Sequence, residues 1–101
     1  SVHAWPEIIA LFSRALELDP AHKPSRKNLA LVYVHQQQFQ RALDTFLEVG
    51  DAANAFTQVG YLAYKTGQVE KAEELLLEAI RSSPTYNKLA HSYLAAVRQA
   101  S

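Results

Sequence analysis

The chain has 101 residues, 49% of them apolar, with ten basic and ten acidic side chains and a formal net charge of zero. That length is one domain, and the zero balance leaves no bulk field to draw in nucleic acid or an anionic membrane. With no Cys, structural disulfides, thiolate zinc sites and cysteine nucleophiles are excluded; the longest apolar runs fall far short of the roughly 20 residues that cross a bilayer.

Leu and Ala dominate while Gly and Pro are few, a mix that favours helix. Pro6 suits a first helical turn, where its missing N–H costs nothing. Residues 7–18 follow as a first helix, with Ile8, Leu11, Phe12, Ala15 and Leu16 on one stripe. Asp19-Pro20 stops it. A second helix is expected over 24–37, with Leu29, Ala30 and Tyr33 inward, and the trio Gln36, Gln37, Gln38 marks a turn. The third is expected over 39–49, with Ala42, Leu43, Phe46 and Leu47 inward. Gly50 can end it in the left-handed conformation and Asp51 can cap the fourth, over 52–66. Gly67 closes that helix, the fifth runs over 69–82 to Pro84, and the sixth over 85–99. Ala72, Leu75, Leu76, Ala79 and Ile80 face inward on the fifth. No stretch alternates apolar and polar residues as a strand would. Six helices with short links imply antiparallel neighbours.

An internal repeat organises these helices. In residues 53–86, Phe56 and Val59 precede a small residue, Gly60. Gly67 then marks the turn, Ala72 a second small position, Leu76 a large one and Pro84 the stop. The same order recurs upstream in Leu29, Ala30, Tyr33, Phe39, Ala42 and Phe46, and Phe12, Ala15, Leu16 and Pro20 match the last half of a third copy. Small residues at Gly60 and Ala72 let two helices approach closely, and large neighbours fill the flanks. Ala42 lies 30 positions before Ala72 (72 − 42) instead of 34, which predicts a shortened third helix.

These residues resemble the tetratricopeptide repeat family. The resemblance implies an all-α superhelix of antiparallel hairpins: the second helix of a truncated repeat over 1–22, a short repeat over 23–52, a full repeat over 53–86 and a capping helix over 87–101. It also implies a non-catalytic scaffold that holds a protein or peptide on the concave face, which the first helix of each hairpin lines. Carried onto this chain, the groove positions are Lys27, Asn28, Leu31, Val34 and His35, then Asn54, Thr57, Gln58, Tyr61, Tyr64 and Lys65, then Lys88, His91, Ser92 and Arg98. The family's peptide-tail clamp needs Lys and Asn four apart, but Leu31 follows Lys27 and Gln58 stands where a second Asn belongs. The chaperone-tail reading is therefore incomplete. The run GDAANAFTQVGYLAYKTGQVEKAEELLLEAIRSSPTYNKLAHSYL, residues 50–94, is also similar to the last repeat of bacterial tight-adherence (Flp) pilus assembly proteins. That implies a periplasmic lipoprotein in pilus or secretion assembly.

The charges are sorted. All ten acids fall on second helices or turns, whereas six of ten bases, Lys23, Arg26, Lys27, Lys65, Lys88 and Arg98, lie on or at the start of first helices. A positive groove and a negative back are expected, and with them an acidic or carboxylate-ended partner. The plain alternative is that these charges are only solvated. No two of His3, His22, His35 and His91 stand three or four apart, so no helical metal pair is expected. Glu70, Glu73, Glu74 and Glu78 read as a solvated face, no Gly-rich phosphate loop is present, and no cofactor is expected. There is no Met, so the chain is expected to begin inside a longer protein. Trp5 lies where a preceding helix would pack, and Ile9, Leu11 and Phe12 form an apolar face that invites self-association or an upstream cover. A structural spacer and a regulatory arm of a larger protein or enzyme are the other readings.

Overall fold

The computed structural model describes residues 4–100; His3 lies outside them. Among the described residues there are six α-helices and no strand. They are α1 (Trp5–Leu18), α2 (Lys23–His35), α3 (Phe39–Leu47), α4 (Ala52–Lys65), α5 (Val69–Ser82) and α6 (Lys88–Ala100). The fold is a stack of antiparallel helical hairpins, as the periodicity predicts. None of these helices is long and apolar enough to cross a membrane.

Each helix end has a local cause. Pro6 sits in the first turn of α1, and the Asp19 N–H closes its last turn on the Ala15 carbonyl at 2.9 Å. α2 starts one residue earlier than expected because His22 caps it: Nδ1 accepts from the Ser25 N–H at 3.2 Å. Asp51 caps α4 as expected, accepting from the Asn54 N–H at 2.8 Å. α6 starts at Lys88, later than expected, because Asn87 is its cap. The Asn87 Oδ1 accepts from the Ala90 N–H at 2.9 Å, while Nδ2 donates to Thr57 Oγ1 at 3.1 Å and Ser83 Oγ at 3.0 Å. Residues 84–86 are spent in the turn that this network ties to α4.

Two turns share one geometry. Gly67 has φ +80° and the Gln68 N–H reaches back to the Ala63 carbonyl at 2.9 Å. Thirty positions upstream, Gln37 has φ +60° and the Gln38 N–H reaches the Tyr33 carbonyl at 2.8 Å. Both are the left-handed helix stop, once with Gly and once with a side chain that strains it. Gly50 does not adopt this conformation, contrary to expectation; Gly67 is the glycine with positive φ among the described residues. α3 instead ends at Leu47, and the Val49 N–H tightens onto the Phe46 carbonyl at 3.1 Å.

The core runs through the stack. Ala30, Val34, Ala42, Val59, Ala63, Ala72, Leu76 and Ala90 are fully buried. The close approach of α4 and α5 is visible at Gly60, where an added Cβ would lie 2.7 Å from Leu76 Cγ. Leu47, expected inward, is exposed, because the helix stops before it can press that turn onto the core. Leu11 is 65% exposed, since α1 packs against α2 alone.

The contacts between helices form two layers. The backbones of α2, α4 and α6 pack in succession, whereas those of α1, α3 and α5 stand apart, with α3 and α5 meeting through side chains such as Lys71, whose Nζ lies 5.1 Å from the Phe39 ring centroid. A layer whose members meet, backed by one whose members splay, curves toward the first. The concave face therefore belongs to α2, α4 and α6.

Candidate functional site

The inner helices carry no acidic residue along α2, α4 or α6; Asp51 is the N-cap of α4. The local sequence places their polar side chains in two clefts. The larger, of about 850 Å³, lies between the N-terminal parts of α2 and α4. Lys23, Arg26 and Lys27 line it with the amides of Asn28, Asn54 and Gln58, over Pro20, Pro24, Phe46 and Val49. No carboxylate is among its lining residues. The smaller, of about 380 Å³, lies between α4 and the start of α6 and is lined by Asp51, Tyr86, Lys88 and Leu89, again with Asn54 and Gln58. Those two side chains belong to both clefts, so α4 joins them into one path across the concave face.

Arg26 is not a groove cation in the simple sense expected. It is 6% exposed. Its guanidinium donates to the Thr45 carbonyl at 2.6 Å, Glu48 Oε1 at 2.7 Å and the Pro20 carbonyl at 2.9 Å. It ties the α1–α2 turn to the end of α3, where the 30-residue spacing removes a helical turn. A buried charge demands such partners, and this one has them. Lys23 and Lys27, four apart on one face of α2, are exposed and supply the solvent-facing positive charge.

The expected groove residues divide. Lys27, Asn28, Asn54 and Gln58 meet in the larger cleft, and Lys88 lines the smaller. The others do other work. Leu31 and Tyr64 are half-buried against the core. Tyr61 packs on Tyr93 with ring centroids 4.5 Å apart, and burial together with the neighbouring Tyr61 raises the Tyr93 phenol above its ordinary value of 10.0. His35 stacks on Trp5 at 5.7 Å, and His91 lies under Tyr86 at 4.5 Å. Arg98 Nε donates to Glu73 on α5 at 3.1 Å. Lys65 is exposed at the end of α4 and is not among the lining residues of either cleft. Val34 is fully buried in the core, and Thr57, also buried, lies at the base of the smaller cleft, where its Oγ1 accepts from Asn87 Nδ2.

Sequence reasoning left Lys23, Pro24, Val49, Tyr86 and Leu89 out of the groove. The spacing of Lys23 to Lys27 was a usable signal, since residues four apart share a helix face. Tyr86 and Leu89 had none, because their place depends on the turn that Asn87 builds. On the opposite side, a trough of about 660 Å³ separates α1 from α3, with Leu16, Leu29 and Tyr33 below and Glu17, Arg41, Asp44 and Glu48 around it. Among the described residues no group of three or more His, Asp or Glu is placed to hold a metal ion.

A family model for the tetratricopeptide repeat matches residues 53–86. A repeat of that type is therefore present there, the same span that Gly60, Gly67, Ala72 and Pro84 delimit, and it supports the tetratricopeptide family. No curated protein matches the chain.

Proposed function

We propose that this chain is a protein-interaction module that holds an extended, acidic segment of a partner on the face formed by α2, α4 and α6. The carrying observation is the larger cleft: two exposed lysines and three amides stand over an apolar floor with no carboxylate among the lining residues, the third cation, Arg26, being buried and paired with Glu48. Amide side chains can pair with a peptide backbone in both senses, and positive charge speeds encounter and sets register more than it raises affinity. The acidic residues sit elsewhere, four of them on α5, so the zero net charge conceals an inner face opposite in sign to the back.

Fluorescence anisotropy with labelled acidic peptides at low ionic strength tests this. Lys23→Glu with Lys27→Glu weakens binding by about tenfold or more, since like charge opposing like charge costs on the order of a kcal/mol or more per pair. Lys65→Glu with Arg98→Glu is the control and changes it little. Equal affinity across all of these proteins removes the reading and favours a passive spacer. A narrower role in bacterial pilus or secretion assembly is supported by the resemblance of residues 50–94 alone. Self-association through α1 is supported by exposed Leu11 and Leu18, and sedimentation of the same samples reads it out.

A further inference from the structure

Resting on that reading, we infer that the bound segment is gripped at two unlike points: a carboxylate at Lys23 and Lys27, and a large apolar side chain at Tyr86 and Leu89. The two clefts differ in what they offer. The larger presents exposed lysines and no acid. In the smaller, Lys88 shares the lining with Asp51, so its charge is balanced and selects no ion. What it presents is Tyr86, 73% exposed, and Leu89, 45% exposed. Large apolar residues side by side at the rim of a cleft mark a contact surface, and an amphipathic ring is the kind of group that anchors one.

The Tyr86 ring is also held in place. It stacks on His91 at 4.5 Å and 11°, so little rotamer freedom is lost when a partner covers it. Asn54 and Gln58, common to both clefts, lie midway and can hold the backbone that runs between the two points.

The spacing follows from the layer. Neighbouring helices pack 8–10 Å apart, so the path from α2 over α4 to α6 is roughly 16–20 Å. An extended chain covers about 3.3–3.6 Å per residue, so the acidic and apolar residues stand about five apart in the ligand. Joined points act through effective concentration, which falls steeply when the linking segment cannot span them.

The experiment uses labelled peptides of neutral Ser/Thr/Ala frame carrying one Asp-Glu pair and one Phe, separated by two, five or nine residues, in both orders. The separation of five in one order binds about tenfold tighter than two or nine. Lys27→Glu removes the advantage of the acidic pair, and Tyr86→Ala removes the advantage of Phe while leaving the acidic preference. Both side chains are exposed, and circular dichroism melts confirm that each variant keeps its fold. If acidic peptides bind without regard to spacing, or Tyr86→Ala changes nothing, the two-point grip is overturned while the acidic-segment reading stands. If no acidic peptide binds, both fall. If Tyr86→Ala instead abolishes a concentration-dependent dimer in sedimentation, the patch is a contact between copies and the grip is overturned.

Discussion

Arg26 shows how much one side chain can carry when a helix is cut short. Its three acceptors come from two segments distant in sequence, the carbonyl of Pro20 in the α1–α2 turn and, at the end of α3, the carbonyl of Thr45 and the carboxylate of Glu48. Removing the guanidinium leaves two carbonyls without their donor and empties a packed site. Arg26→Ala is expected to destabilise the fold by about 2–4 kcal/mol, below the full cost of breaking a buried pair because Glu48 itself stays solvated. Glu48 is 67% exposed, so Glu48→Gln costs less than about 1 kcal/mol. Urea denaturation midpoints of the two variants check the contrast, and equal losses would mean the carboxylate, not the carbonyls, is what matters. From the sequence, Arg26 was one of six cations on inner helices. Nothing in the spacing distinguishes it from Lys27, because its partners lie 19 and 22 residues downstream.

At the level of the helix pair, the two hairpins of the interior are built to one plan with unequal materials. α4 and α5 meet across Gly60 and turn through Gly67; α2 and α3 meet across Ala30 and turn through Gln37. A side chain in the left-handed region costs about 1–2 kcal/mol, offset in part by the chain entropy a glycine would lose. Gln37→Gly is therefore expected to stabilise by about 0.5–1 kcal/mol and Gly67→Ala to destabilise by about 1 kcal/mol, read as opposite shifts in thermal midpoint. The helices themselves were legible, since apolar period and the Gly, Pro and Asp punctuation act locally. Gln37 was not, because a glutamine announces no left-handed stop; its register, 30 positions before Gly67, was the available clue. α6 began later than expected for a similar reason. Asn87 caps it through contacts with Thr57 and Ser83 that only the folded chain supplies.

For the whole molecule, the layer arrangement decides which charges count. Six cations on inner helices could be counted from the sequence, but Arg26 is buried and Arg98 reaches Glu73 on α5, leaving Lys23 and Lys27 to dominate the larger cleft. Because these are exposed, their pull on a partner is screened over about 8–10 Å at ordinary salt. Stopped-flow association of an acidic peptide is expected to slow several-fold between about 20 and 200 mM salt, with dissociation changing much less. A dissociation rate that carries the whole effect would place the binding energy in buried pairs instead. Of the expected groove residues, Lys27, Asn28, Asn54, Thr57, Gln58 and Lys88 line the two clefts, whereas Leu31, Val34, Tyr61 and Tyr64 pack inward, His35 and His91 stack on rings and Arg98 pairs with Glu73. A helix face wide enough to line a groove is also wide enough to pack, and periodicity alone does not divide the two.

α3 ends a turn early, and a lone guanidinium stands in for the lost backbone ladder. Arg26 also lines the larger cleft, beside Phe46 and Val49 from that same shortened end. The side chain that secures the truncated helix therefore forms part of the wall that meets a partner, so a change at Arg26 reaches the binding face as well as the fold.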